Sequence, residues 1–239
     1  MLNLTYLQQL ATKYQTNDTN VRREYAQHLL LSHLYQKPEA ESLFFKGGTA
    51  LRILYRSPRF SEDLDFETTE HDQGLWERVL ENLLIDLSHE NIVVDIEESK
   101  ITTGGYLGIV TLKNIGKPIE IHIEISFRKK FVEGEVFTVE NDFTSPYSIK
   151  SLITTQLVEG KLEALFDRQK ARDFYDLYFL LRSNLVPPSQ KRQLSKVRHL
   201  LSNRNIDFSR ELSLFLPKNQ ALIIKDFENS LVREIERNI

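Results

Sequence analysis

Residues 46–67 read KGGTALRILYRSPRFSEDLDFE, and the fold turns on this stretch. The apolar run Leu43–Lys46 stops at Gly47–Gly48, so a short strand gives way to a turn. Thr49 is placed to cap a short helix running through Leu54, and Pro58 forbids its extension. Leu64–Phe66 reads as the next strand. Alternation puts Leu64 and Phe66 on its buried side and Asp63 and Asp65 together on the other. Glycines let backbone N–H groups approach phosphate oxygens. Two carboxylates side by side repel unless a cation neutralises them. The stretch therefore predicts a triphosphate cradle (Lys46, Gly47, Gly48, Thr49) beside a divalent-metal site (Asp63, Asp65). Ser61 and Arg59 are expected to reach phosphate, by hydroxyl and by guanidinium fork.

Working outward, residues 4–15, 20–36 and 72–90 read as amphipathic helices and 92–96, 106–112 and 119–127 as strands. The last alternates: Ile119, Ile121, Ile123 and Ile125 face one way, and Glu120, His122, Glu124 and Ser126 the other. A two-metal site needs a third carboxylate, and Glu124 is the expected one, with Glu120 and His122 on the same face as alternatives. After Pro146 only helical periodicity remains, over 149–166, 168–183, 190–203 and 219–237. The expectation is an α+β fold in which lobe 1–145 holds a small mixed sheet flanked by helices. A helical lobe, 146–239, contributes to the active-site cleft.

Composition narrows the function class. With 41% apolar and 27% charged residues, the 239-residue chain has the make-up of an ordinary folded protein. The absence of cysteine excludes disulfides, zinc–thiolate sites and thiol catalysis. The N-terminal segment has no signal-peptide pattern and no stretch approaches a membrane span, so a cytoplasmic protein without a membrane partner is expected. A net charge of −3 gives no global attraction to nucleic acid, so an RNA partner must meet local cations. Those are Arg128, Lys129 and Lys130 in one run, and Lys191, Arg192, Lys196, Arg198 and Arg204 in another.

The combination KGGTALR, RFSEDLDF and the later KLEALFDRQKARDFYDLYFLL resembles the AbiEii-type nucleotidyltransferases, over about residues 20–182. These are toxin members of the AbiE phage-defence and toxin–antitoxin systems. The MenT toxins are similar, and all belong to the DNA polymerase β-like nucleotidyltransferase superfamily. The resemblance implies Mg²⁺, with Mn²⁺ as a substitute, held by Asp63 and Asp65, and an NTP substrate on Gly47–Gly48 with Ser61 aiding; Glu124 joins the metal set on the strand reading above. It implies that Lys161 contacts the nucleotide phosphates and that Asp173 and Asp176 belong to the last motif, Asp176 in a catalytic role. It also implies transfer of a nucleoside monophosphate to the 3′ end of tRNA and a cognate antitoxin encoded nearby. One departure is visible: Gly160 stands where the family usually has a carboxylate before the lysine, with Glu159 one residue further back. The residues alone leave two alternatives open, a small-molecule or protein hydroxyl as acceptor, and a catalytically silent nucleotide-binding module acting through a protein partner.

Overall fold

The alternating stretches assemble into one mixed seven-stranded sheet in a computed structural model, which describes residues 1–129, 131–202 and 206–239. The sheet lies in the first of two units, Met1–Arg56 with Phe60–Leu152; the second unit is Ser57–Arg59 with Ile153–Ile239. Its strands are β1 (Leu43–Lys46), β2 (Leu64–Thr68), β3 (Val94–Thr102), β4 (Gly105–Leu112), β5 (Ile119–Ser126), β6 (Gly134–Val139) and β7 (Tyr147–Leu152), in spatial order β3-β4-β5-β2-β1-β7-β6. β2 runs antiparallel to β1 and parallel to β5, so the segment bearing Asp63 and Asp65 sits at the middle of the sheet. β5 forms as its sequence dictates: all four isoleucines are at most 5% exposed while Glu120 and Glu124 meet solvent.

Four helices pack in this unit: α1 (Leu4–Lys13), α2 (Asp18–Leu34), α3 (Gly47–Tyr55) and α4 (Gln73–His89). α2 buries polar residues along with its leucines, and each makes at least one polar contact although Arg22 Nε itself has no hydrogen-bond partner among the described residues. The Glu24 carboxylate takes two bonds from Arg52 on α3, at 2.8 and 3.1 Å. The Arg52 guanidinium also lies 3.9 Å from the Phe60 ring centroid.

Two strands depart from the sequence reading. Tyr147–Leu152 is a strand, although its apolar spacing reads as the start of a helix. Ile149, Ser151 and Leu152 are all buried in it, and Ser151 joins β1 by donating its hydroxyl to the Phe45 carbonyl at 2.8 Å. Pairing with an already formed strand overrides local periodicity here. β6 escapes the pattern altogether because it is a sheet edge with most side chains in solvent.

The second unit is helical: α5 (Thr154–Arg168), α6 (Ala171–Arg182), α7 (Pro188–Lys191), α8 (Leu194–Ser202), α9 (Phe208–Leu212), α10 (Ala221–Lys225) and α11 (Phe227–Asn238). Its core is an aromatic cluster of Phe174, Tyr175, Tyr178, Phe208 and Phe227, with ring centroids 4.9–6.0 Å apart. Gly160 lies inside α5, and a Cβ added there meets nothing within 4 Å. Gly160→Ala should therefore raise stability by about 0.5–1 kcal/mol, read as a higher denaturation midpoint in urea.

Candidate active site

The glycine turn and the first carboxylates meet directly. β1 ends at Lys46, whose extended backbone caps α3 without any side-chain capping bond. The helix thus begins at Gly47, earlier than a Thr49 cap would have it. Thr49 is fully buried, and its hydroxyl donates instead to the carbonyl of Asp63. The Lys46 side chain makes no capping bond to the first turn, so its backbone donors and the positive end of the helix dipole suit an anion. Gly47 has φ +84°, and a Cβ on it would lie 2.0 Å from Asp65 Oδ2 and 2.8 Å from Asp65 Cβ. Gly47→Ala should therefore both strain the backbone, by about 1–2 kcal/mol, and push Asp65 out of place. The expected result is a lowered melting temperature and a loss of nucleotide transfer larger than the stability change explains.

Strand register assembles the carboxylates. Lys46 lies opposite Asp65 across β1–β2, and Asp65 lies opposite Glu124 across the parallel β2–β5 pair. Asp63 immediately precedes β2, and His122 Nδ1 is 4.0 Å from its Oδ1 while His122 Nε2 is 3.0 Å from Glu120 Oε1. Glu124 meets solvent, yet partial burial first, and then the like charges of Asp65 and Asp63, push its carboxyl up; His122 and Lys46 oppose the shift. Among the described residues no three His, Cys, Asp or Glu side chains converge as a ready-made metal cluster. What Asp63, Asp65 and Glu124 supply is a set of hard oxygen donors that repel one another, a donor set that fits a divalent cation.

Three residues given no such role by the sequence reading hold this arrangement. Gln27, on α2 and 1% exposed, donates to the carbonyls of Ser61 and Glu62 at 3.1 and 3.0 Å. With Thr49 on Asp63, three successive carbonyls of the segment leading into β2 are clamped. Glu67, 2% exposed, takes Lys46 Nζ at 2.7 Å on one oxygen. On the other it takes the Ser126 hydroxyl at 3.0 Å and the N–H groups of Arg128 and Lys129 at 3.2 and 3.1 Å. Glu67 was legible, since it continues the alternation Asp63, Asp65 by one step. Gln27 gives no signal before the chain folds. A separate cavity of about 340 Å³, lined by Tyr25, His33, Glu90, Phe143 and Tyr147 among others, takes none of the carboxylates of β2 or β5.

In the second unit the structure gives Arg59 a different task from phosphate contact. Its guanidinium is buried and grips Asp176 with both arms, at 2.8 and 2.9 Å. Lys161 Nζ adds a third bond to Asp176 at 2.7 Å. Burial alone would push the Asp176 carboxyl up, but Arg59 and Lys161 pull it down to about 2. Such a carboxylate is a poor proton acceptor near neutrality, which sets it apart from the catalytic role the motif implies. Asp173, also buried, accepts from Arg168 at 2.7 Å and from the Lys170 N–H at 3.1 Å; it caps α6 rather than presenting itself to a nucleotide. Of the basic residues, Arg192 and Lys196 are exposed, Lys191 bonds Asn238 and Arg198 pairs with Glu236 at 2.9 Å. In the first unit Arg128 is exposed and Lys129 half-buried. Lys130 and Arg204 lie outside the described residues.

The chain is similar in fold to two solved structures from Helicobacter pylori. One is of a protein proposed to be a nucleotidyltransferase, the other is of JHP933. Each is 23% identical with a TM-score of 0.65; each match covers 93% of this chain, and 95% and 92% of the respective partner chains. No curated protein matches. No helix among the described residues is long and apolar enough to cross a membrane. A family profile described as "Nucleotidyl transferase AbiEii toxin, Type IV TA system" matches residues 29–237, a span that takes in the glycine turn, Asp63, Asp65, Glu124 and the Lys161–Asp176 motif. By that match the chain belongs to the AbiEii nucleotidyltransferase toxin family.

Proposed function

We propose that this nucleotidyltransferase moves a nucleoside monophosphate from a Mg²⁺-bound NTP to the 3′ end of tRNA, with its growth-arresting action held in check by a cognate antitoxin. The observation that carries the donor half is the contact of Asp65 with the Gly47 turn, in register with Glu124. The uncapped turn of α3 binds the triphosphate, and Lys46, steadied by Glu67, adds a cation beside it. Asp63 and Asp65, with Glu124, hold the metal, which neutralises charge developing on the phosphates (Mn²⁺ serving in its place). The acceptor hydroxyl oxygen bonds to the α-phosphorus as the bond from that phosphorus to the β-bridging oxygen breaks. Pyrophosphate leaves with the electron pair, and the hydroxyl proton passes to a Glu124 oxygen not engaged by the cation. Positioning and charge neutralisation do most of the work, as in other phosphoryl transfers. Ser61 is the hydroxyl donor to phosphate. Lys161 is assigned to the phosphates on the family motif, and its Nζ bonds Asp176.

For the acceptor, exposed Arg192 and Lys196 and the anchored Arg128–Lys129 segment supply backbone-tracking cations. Incubating the protein with each labelled NTP, Mg²⁺ and total RNA together with cell protein should place label on RNA of tRNA size. Reversing the charge of Arg192 and Lys196 should weaken that labelling more at low salt than at high, where salt screens the same contacts in wild type. Label on protein or small molecules, with none on RNA, would refute the tRNA assignment.

A further inference from the structure

We propose that His71 and Phe127 form a stacking platform for a nucleobase, at the end of the β2–β5 pair beyond the carboxylates, a reading that rests on the nucleotide-transfer function above. The rings stack with centroids 5.5 Å apart and planes at 16°. His71 is exposed on the connection after β2, and Phe127, half-buried, follows β5 directly. The main chain around Phe127 is held on both sides. Its N–H donates to the Gly104 carbonyl at 2.9 Å, and the next two N–H groups donate to Glu67. Arg128 lies against the β3–β4 turn, where a Cβ on Gly104 would fall 2.7 Å from its Nε. An aromatic pair on a fixed backbone, open to solvent and flanked by a guanidinium, is what sequence-tolerant base binding uses.

The placement suits a nucleotide engaged at the metal site. β5 ends at Ser126, and Glu67, on the same face of β2 as Asp65, takes the N–H groups of Arg128 and Lys129, so the chain just beyond Phe127 turns to the carboxylate side. Glu67 links the two ends, since one buried carboxylate holds Lys46 beside the glycine turn and the segment behind Phe127. The base belongs to the NTP or to the terminal nucleotide of the acceptor; the stacking chemistry is the same.

The test is direct binding, without turnover. Affinities of wild type, Phe127→Leu, Phe127→Trp and His71→Ala are measured for each NTP with Mg²⁺ and for a short single-stranded oligoribonucleotide, beside their melting temperatures. Phe127→Leu and His71→Ala should weaken binding by about tenfold, and Phe127→Trp should keep it, with melting temperature little changed for His71→Ala. Weakened NTP binding alone assigns the base to the donor; weakened oligonucleotide binding alone assigns it to the acceptor. Affinities unchanged in both variants overturn the platform. His71→Ala, at an exposed position, decides the matter if Phe127→Leu does not fold. A wild-type chain that binds neither ligand would instead overturn the underlying function.

Discussion

Asp65→Ala should abolish nucleotide transfer, with a fall on the order of a thousandfold or more, while melting at or above the wild-type temperature. The large effect follows from position. Asp65 is the residue that meets the turn at Gly47 and the third carboxylate at Glu124 in one strand register. The small effect on stability follows from charge: removing one of three carboxylates relieves the repulsion that raises Glu124. The measurement is a labelled-nucleotide transfer assay beside thermal unfolding. A variant retaining a tenth of wild-type transfer would remove Asp65 from the metal site.

The second large effect is on stability. Arg59→Ala should destabilise the second unit by roughly 3–5 kcal/mol, because it leaves Asp176 buried with Lys161 as its remaining cation. The same network makes stability depend on acid. Asp176 sits at about 2 in the fold against a reference of 3.8, so the unfolded chain takes up its proton first. Its contribution is complete above about pH 4 and is lost as pH falls toward 2, about 2 kcal/mol in all. Urea titrations between pH 5 and 2 should show a shallower slope in Asp176→Asn than in wild type, the remainder coming from other paired carboxylates such as Asp142. A wild-type profile flat through this range would contradict the ion network.

The alternating β5 strand, the glycine turn and the paired aspartates were legible because each is dictated locally, by period-two burial or by a backbone that only glycine adopts readily. Ser151 and Gln27 were not, since a serine in a strand and a glutamine in a helix declare nothing until β1 and the Ser61–Glu62 carbonyls arrive beside them. Arg59 shows the limit most plainly. A sequence places it four residues before Asp63 and invites a phosphate contact; folding gives it to Asp176, 117 residues away along the chain. Asp176 and Asp173 lie three residues apart in one motif, and burial sends one to an ion network and the other to a helix cap.

The central claim is nucleotidyl transfer at the β2–β5 carboxylates, and the position of a radiolabel tests it most directly. The protein is incubated with Mg²⁺, tRNA and an NTP labelled on either the α- or the γ-phosphorus. The account predicts that α-label joins the RNA while γ-label leaves as pyrophosphate, and that neither occurs with Asp65→Ala. γ-Label on the RNA, or α-label transferred equally by Asp65→Ala, would contradict it.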